Sequence, residues 1–142
     1  MRKLSSILLV DDDSTTNFLN QLLLKSLDVA DQLLLAQNGR EALATLDNLC
    51  ADPSPDCPSL ILLDVNMPVM NGIEFLKAYA QLPVSQQRSA VIVMLTTSLH
   101  SRDLEQVQQL PIAGLVNKPL TREKVNAILE SHFQRNLSEE AK

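Results

Sequence analysis

The sequence predicts an α/β domain: a parallel sheet doubly wound, with helices on both faces. Two observations lead there. Five short apolar runs alternate strictly with five stretches of helical periodicity, and no linker or repeat interrupts them. Such βα units pair in parallel through right-handed crossovers. The second observation is the stretch Leu60-Ile-Leu-Leu-Asp64-Val-Asn-Met-Pro-Val-Met-Asn-Gly72. An unbroken apolar run bounded by turn residues reads as a strand buried on both faces. Its terminal aspartate falls where open α/β sheets hold their ligands.

Taken in order, Ser6–Val10 is the first strand and runs into Asp11-Asp12-Asp13. Asp13 or Ser14 can cap the next helix, on which Phe18, Leu19, Leu22, Leu23 and Leu27 recur at helical spacing. Gln32–Ala36 is the second strand. Asn38 with Glu41 resembles a capping box, and Ala42, Leu43, Leu46 and Leu49 continue along one helix face. From Asp52 to Pro58, three prolines forbid both helix and central strand, so the stretch reads as a surface loop. After the third strand, Ile73, Leu76, Tyr79 and Ala80 mark a third helix, closed by Pro83. Ala90–Leu95 is the fourth strand and ends at Thr96-Thr97-Ser98. Leu104, Val107 and Leu110 mark a fourth helix, and Gly114–Asn117 is the fifth strand, leading into Lys118-Pro119. Thr121 caps a last helix carrying Val125, Ile128, Leu129 and Phe133. The expected domain covers residues 1–135, and 136–142 form a polar tail.

At 142 residues the chain is about one domain, and with 45% hydrophobic residues, 3% aromatics and no Trp its core must be Leu, Ile, Val and Ala. A net charge of −5 argues against nucleic acid as a partner, since such modules show a basic face. No apolar run approaches the roughly 20 residues that span a bilayer, and the N-terminus lacks the features of a signal peptide. A cytoplasmic protein with no membrane partner is expected. Cys50 and Cys57 have no second pair with which to form a metal site and read as two ordinary thiols. His100, His132, Asp56, Glu74, Glu139 and Glu140 read as solvated surface residues.

The reactive candidates all lie at strand ends: Asp11 and Asp12 after the first, Asp64 after the third, Thr96 after the fourth and Lys118 after the fifth. With strand order 2-1-3-4-5 they share one crevice at the switch point. Three carboxylates there repel unless a cation neutralises them, and Mg²⁺ suits best because it accepts one or two carboxylates and keeps sites for water and phosphate oxygens. A carboxylate beside such an ion can attack a phosphoryl group, with Lys118 and the Thr96 hydroxyl stabilising the charge that spreads over its oxygens. Asp64 is the expected acceptor. Asp13 is expected to face the helix start.

Val10-Asp11-Asp12, Leu63-Asp64-Val-Asn66-Met-Pro68 with Gly72, Leu95-Thr96 and Lys118-Pro119 resemble the response-regulator receiver domain of two-component signalling. Four motifs in the right order span Leu4 to Phe133. The resemblance implies a flavodoxin-like (βα)5 fold and transfer of a phosphoryl group to Asp64 from a histidine kinase or a histidine phosphotransfer protein. It further implies that Asp12, Asp64 and the backbone carbonyl of Asn66 ligate Mg²⁺, that Asp11 holds a metal-bound water, and that the Lys118–Pro119 bond is cis. Phosphorylation would draw Thr96 and Lys118 in and reshape a surface read by a downstream protein effector. Two positions depart from the pattern: Leu115 stands where an aromatic residue is common, and Thr97 where a smaller residue is usual.

No residues remain for an output domain, so a single-domain response regulator that signals by protein contact is the leading expectation, and a conventional enzyme is not. Two other readings compete. Asp11-x-Asp13-x-Thr15 resembles the first motif of haloacid-dehalogenase-like phosphatases, which would make Asp11 the nucleophile, but their later acidic metal-binding motif has no counterpart at a strand end. A receiver-like module that binds partners without phosphorylation would not need Asp11, Asp12, Asp64, Thr96 and Lys118 together.

Overall fold

Along β1 (Leu4–Val10) the side chains alternate between two apolar layers: Leu8 and Val10 on one face, Ile7 and Leu9 on the other. This computed structural model describes residues 3–50, 57–65, 70–81, 90–96 and 112–133. The remaining elements are α1 (Ser14–Leu27), β2 (Ala30–Ala36), α2 (Gly39–Cys50), β3 (Leu60–Asp64), α3 (Gly72–Ala80), β4 (Val91–Thr96), β5 (Gly114–Asn117) and α4 (Arg122–Phe133). All strand pairs are parallel, and the order is β2-β1-β3-β4-β5. The predicted helix at Leu104–Leu110 lies outside the described residues, as do Asn66, Thr97, Ser98, His100, most of the proline-rich loop and the tail.

The sheet has one core on each side. Ala42 and Leu46 of α2 and Ile73, Phe75, Leu76 and Tyr79 of α3 pack on Leu8, Val10, Ile61, Leu63, Ile92 and Met94. Leu24 of α1 and Val125, Ile128 and Leu129 of α4 pack on Ile7, Leu9, Leu60, Leu62, Val93 and Leu95. β3 is buried at every position, as a central parallel strand covered on both faces must be. Each Leu or Ile withdrawn from water contributes about 1.5–3 kcal/mol, so these two layers carry the fold. Phe75 and Tyr79, one turn apart on α3, stack with centroids 5.9 Å apart, and burial pushes the Tyr79 hydroxyl up to about 12.

The helix starts follow local chemistry. Asp13 caps α1, its carboxylate accepting the Thr15 N–H and the Thr16 hydroxyl. Asn38 accepts the Glu41 N–H, while the Glu41 carboxylate accepts from Gln37, one residue earlier than in a standard capping box. Asn71 and Glu74 form the reciprocal box at α3, so Glu74 is more than a surface charge. Thr121 accepts the Lys124 N–H at the start of α4.

Two further expectations fail. The apolar spacing on α1 points to a core face through Phe18, Leu19 and Leu22, yet these are 54%, 57% and 50% exposed. The buried residues are Asn17, Asn20 and Leu24, with Leu23 and Leu27 partly covered. The first turns of α1 lie over strand ends whose carbonyls need donors, and Asn17 supplies one. The cysteines were expected as free thiols; Cys57 is disulfide-bonded, and no cysteine among the described residues is free.

Candidate functional site

Strand register sets the height of each reactive residue at the carboxyl edge. Val10 pairs with Leu63, which puts Asp11 level with Asp64. Asp64 pairs with Leu95 and Thr96 with Asn117, so Thr96 and then Lys118 project one and two residues further. The Lys118 N–H donates to the Thr96 carbonyl at 2.8 Å, and this bond turns the chain after β5 towards β4. The Lys118–Pro119 peptide bond is cis, as the sequence resemblance implies.

The Lys118 ammonium lies 2.8 Å from Asp11 Oδ2 and 2.9 Å from Asp64 Oδ1. The other Asp11 oxygen accepts the Asp13 N–H at 2.9 Å. Asp12 is exposed, whereas Asp11, Asp64 and Thr96 are buried. One carboxylate oxygen from each of Asp11, Asp12 and Asp64 lies within 4.8 Å of the others. Three carboxylates against one ammonium leave two negative charges uncompensated, which is the charge of a divalent cation. Oxygen-only donors of this kind fit a hard ion. Asn66, the source of the implied carbonyl ligand, lies outside the described residues.

Burial pushes the Asp64 carboxyl above its usual value; the Lys118 bond opposes this and the Asp11 charge adds to it. Burial also disfavours the Lys118 ammonium, but its bonds to Asp11 and Asp64 outweigh that and raise its pKa. Desolvation therefore wins at the carboxylate and ion pairing at the amine. Asp13 is held low by the Thr16 hydroxyl and the Thr15 N–H and serves the helix start.

Gly72 permits a close approach behind Asp64. Its N–H donates to the Val65 carbonyl at 2.8 Å, and a methyl group there would collide with the Asp64 carbonyl oxygen and come within 3.1 Å of Val65 Cα. Backbone cannot swing aside as a flexible side chain can. Gly72→Ala is expected to cost about 1–3 kcal/mol, as overpacking does, and to slow phosphoryl acceptance by displacing the end of β3. Chemical denaturation and labelling kinetics check this; wild-type values for both would show that β3 adjusts freely.

Residues 7–130 match the response regulator receiver domain family, to which this chain belongs. Among curated relatives, it is 30% identical over 122 residues to two-component response regulator 24 of Arabidopsis thaliana, covering 86% of this chain and 79% of that protein. It is 35% identical over 97 residues to response regulator Rcp1 of a Synechocystis strain, covering 68% of this chain and 64% of that one. Among solved structures, a two-component response regulator from Cytophaga hutchinsonii superposes with a TM-score of 0.82 at 29% identity, over 94% of this chain and all of the other. Receivers are signalling domains rather than conventional enzymes, and they generally bind Mg²⁺ at an acidic pocket. No helix among the described residues is long and apolar enough to cross a membrane.

Proposed function

We propose that the chain acts as a response regulator, with residues 1–135 as the receiver and Asp64 as the phosphoacceptor. The observation that carries this is one ammonium, Lys118, bridging Asp11 and Asp64 inside a three-carboxylate cluster. Asp11, Asp12, Asp64 and the Asn66 carbonyl would hold Mg²⁺. When bound, the ion offsets the carboxylate repulsion and the charge of the incoming phosphoryl oxygens.

An Asp64 oxygen attacks the phosphorus of a phosphohistidine on a histidine kinase or phosphotransfer protein. The P–N bond breaks and its electrons leave with the imidazole. Lys118 meets the charge on the phosphoryl oxygens, and Thr96 offers them a hydroxyl from the next strand. The Lys118 ammonium, 2.9 Å from Asp64 Oδ1, favours the ionised carboxylate that the attack needs. Water later cleaves the acyl phosphate and returns the carboxylate. The modified state is read by a downstream protein in the cytoplasm. Asp11 is the poorer nucleophile, since both of its oxygens already accept bonds, from the Asp13 N–H and from Lys118. A protein donor is supported by the exposed Phe18, Leu19 and Leu22 on α1; Leu19 also lines a cavity of about 270 Å³ shared with Lys118 and Pro119.

The test is incubation with acetyl phosphate and Mg²⁺, followed by intact-mass measurement and borohydride trapping of the acyl phosphate. One phosphoryl group on Asp64, which does not form when EDTA is present from the start, is the expected result. Modification at Asp11, or no modification of the folded protein, would overturn the proposal.

A further inference from the structure

Asn17 is a buried amide on a helix face where packing alone calls for an apolar side chain. It is 4% exposed and shares the inward face of α1 with Leu24. Its Nδ2 donates to the Asp11 carbonyl at 2.8 Å and to the Ala36 carbonyl at 3.4 Å. Its backbone N–H donates to the Asp13 carbonyl at 3.0 Å. One residue therefore anchors the peptide units that flank the Asp12-Asp13 pair, and ties them to the end of β2, whose Ala36 carbonyl also receives the Asp11 N–H at 3.1 Å. Its Oδ1 is buried without a hydrogen-bond partner among the described residues. A buried acceptor left unpaired weakens a fold, so the amide is not explained by packing.

We propose that Asn17 is a positioning residue for the acidic turn. By clamping the Asp11 carbonyl and the end of β2, it fixes where the Asp11 and Asp12 carboxylates stand relative to Asp64, and thereby sets the affinity for the divalent cation. The inference rests on the Mg²⁺ reading of the cluster but assigns a determinant that lies outside the donor set. Groups that orient ligands from behind change metal affinity without touching the metal.

Calorimetric titration of Mg²⁺ into the wild-type chain, Asn17→Ala and Leu24→Val, with melting temperatures measured in EDTA, separates positioning from simple support of the fold. Asn17→Ala is expected to weaken Mg²⁺ binding about 10- to 100-fold. Leu24→Val, on the same helix face, is expected to lower the melting temperature while leaving Mg²⁺ affinity within about twofold, since it has no bond to the turn. If the alanine variant is too weakly folded to titrate, Asn17→Leu fills the same space with the same expected loss. Wild-type affinity in the Asn17 variant, or an equal loss in Leu24→Val, overturns the assignment to Asn17 and leaves the metal reading intact. A wild-type chain that takes up no Mg²⁺ overturns both.

Discussion

Asp64→Asn is expected to abolish phosphoryl labelling completely and to melt at a higher temperature than the wild type at neutral pH. The first effect follows from chemistry: an amide oxygen is too weak a nucleophile to displace a phosphohistidine, and no other carboxylate among the described residues stands in the same place. Asp11 is engaged by Asp13 and Lys118, and Asp12 is exposed at the rim. The second follows from linkage. Burial, reinforced by the Asp11 charge, raises the Asp64 pKa in the fold. A carboxyl group so shifted supports the fold fully below its ordinary value of 3.8, and that support is lost as pH rises through the raised value. At neutral pH the ionised side chain therefore weakens the fold, and asparagine removes that cost while leaving Lys118 paired with Asp11. A gain on the order of 1 kcal/mol, about 3 °C for a domain of this size, is expected at pH 7 and should shrink towards zero below the ordinary carboxylate pKa. Labelled Asp64→Asn protein would refute the acceptor assignment. A lower melting temperature at pH 7 would mean that the Lys118 ion pair outweighs desolvation at this carboxylate.

The sheet was legible because its strands are short, apolar and separated by unmistakable turn chemistry. β5 matches the predicted bounds, while β1, β2 and β4 differ by one or two residues where strand ends carry polar side chains. The candidate residues were legible for a related reason: in a parallel sheet, every polar residue that ends a strand faces the same edge. Helix α1 was misread because periodicity sees hydrophobicity and not the carbonyls beneath. Phe18, Leu19 and Leu22 form the stronger apolar pattern, but the helix seats Asn17 inward over the ends of β1 and β2 and buries Asn20 as well. A buried amide in the first turns of a helix that follows an acidic strand end is the signal that could have revealed it. The capping box at Asn71 and Glu74 is written in the sequence as Asn followed three residues later by Glu, although Glu74 taken alone reads as a solvated charge. The disulfide at Cys57 carries no pattern that two cysteines alone can announce.

Lys118→Met is expected to destabilise the metal-free protein by about 3 kcal/mol at neutral pH, because removing one partner of a buried ion pair leaves charge without compensation. Here it would leave two, since the ammonium bridges Asp11 and Asp64, whose side chains are only 5% and 10% exposed. The pH dependence identifies the cause. Without the ammonium the Asp64 carboxyl is harder to ionise, so its folded pKa rises further and stability falls as pH climbs through it. The deficit relative to wild type should be largest near neutrality and narrow in acid, where the Asp64 carboxyl is protonated in both proteins. On the alkaline side, the wild-type lysine has a folded pKa above its ordinary 10.5, so its contribution persists to that value and is lost only as pH rises through the higher one. Mg²⁺ should recover more stability in the variant than in the wild type, because the cluster then carries a full extra negative charge. Phosphoryl acceptance should slow by about 100-fold even at saturating Mg²⁺, since Lys118 is the ammonium that stands against Asp64. Urea unfolding at pH 7 and pH 4, with and without MgCl₂, reads the stability terms directly. A variant within about 0.5 kcal/mol of wild type at every pH would mean that the bridge is screened like a surface pair, and that the carboxylates do not depend on Lys118 to coexist.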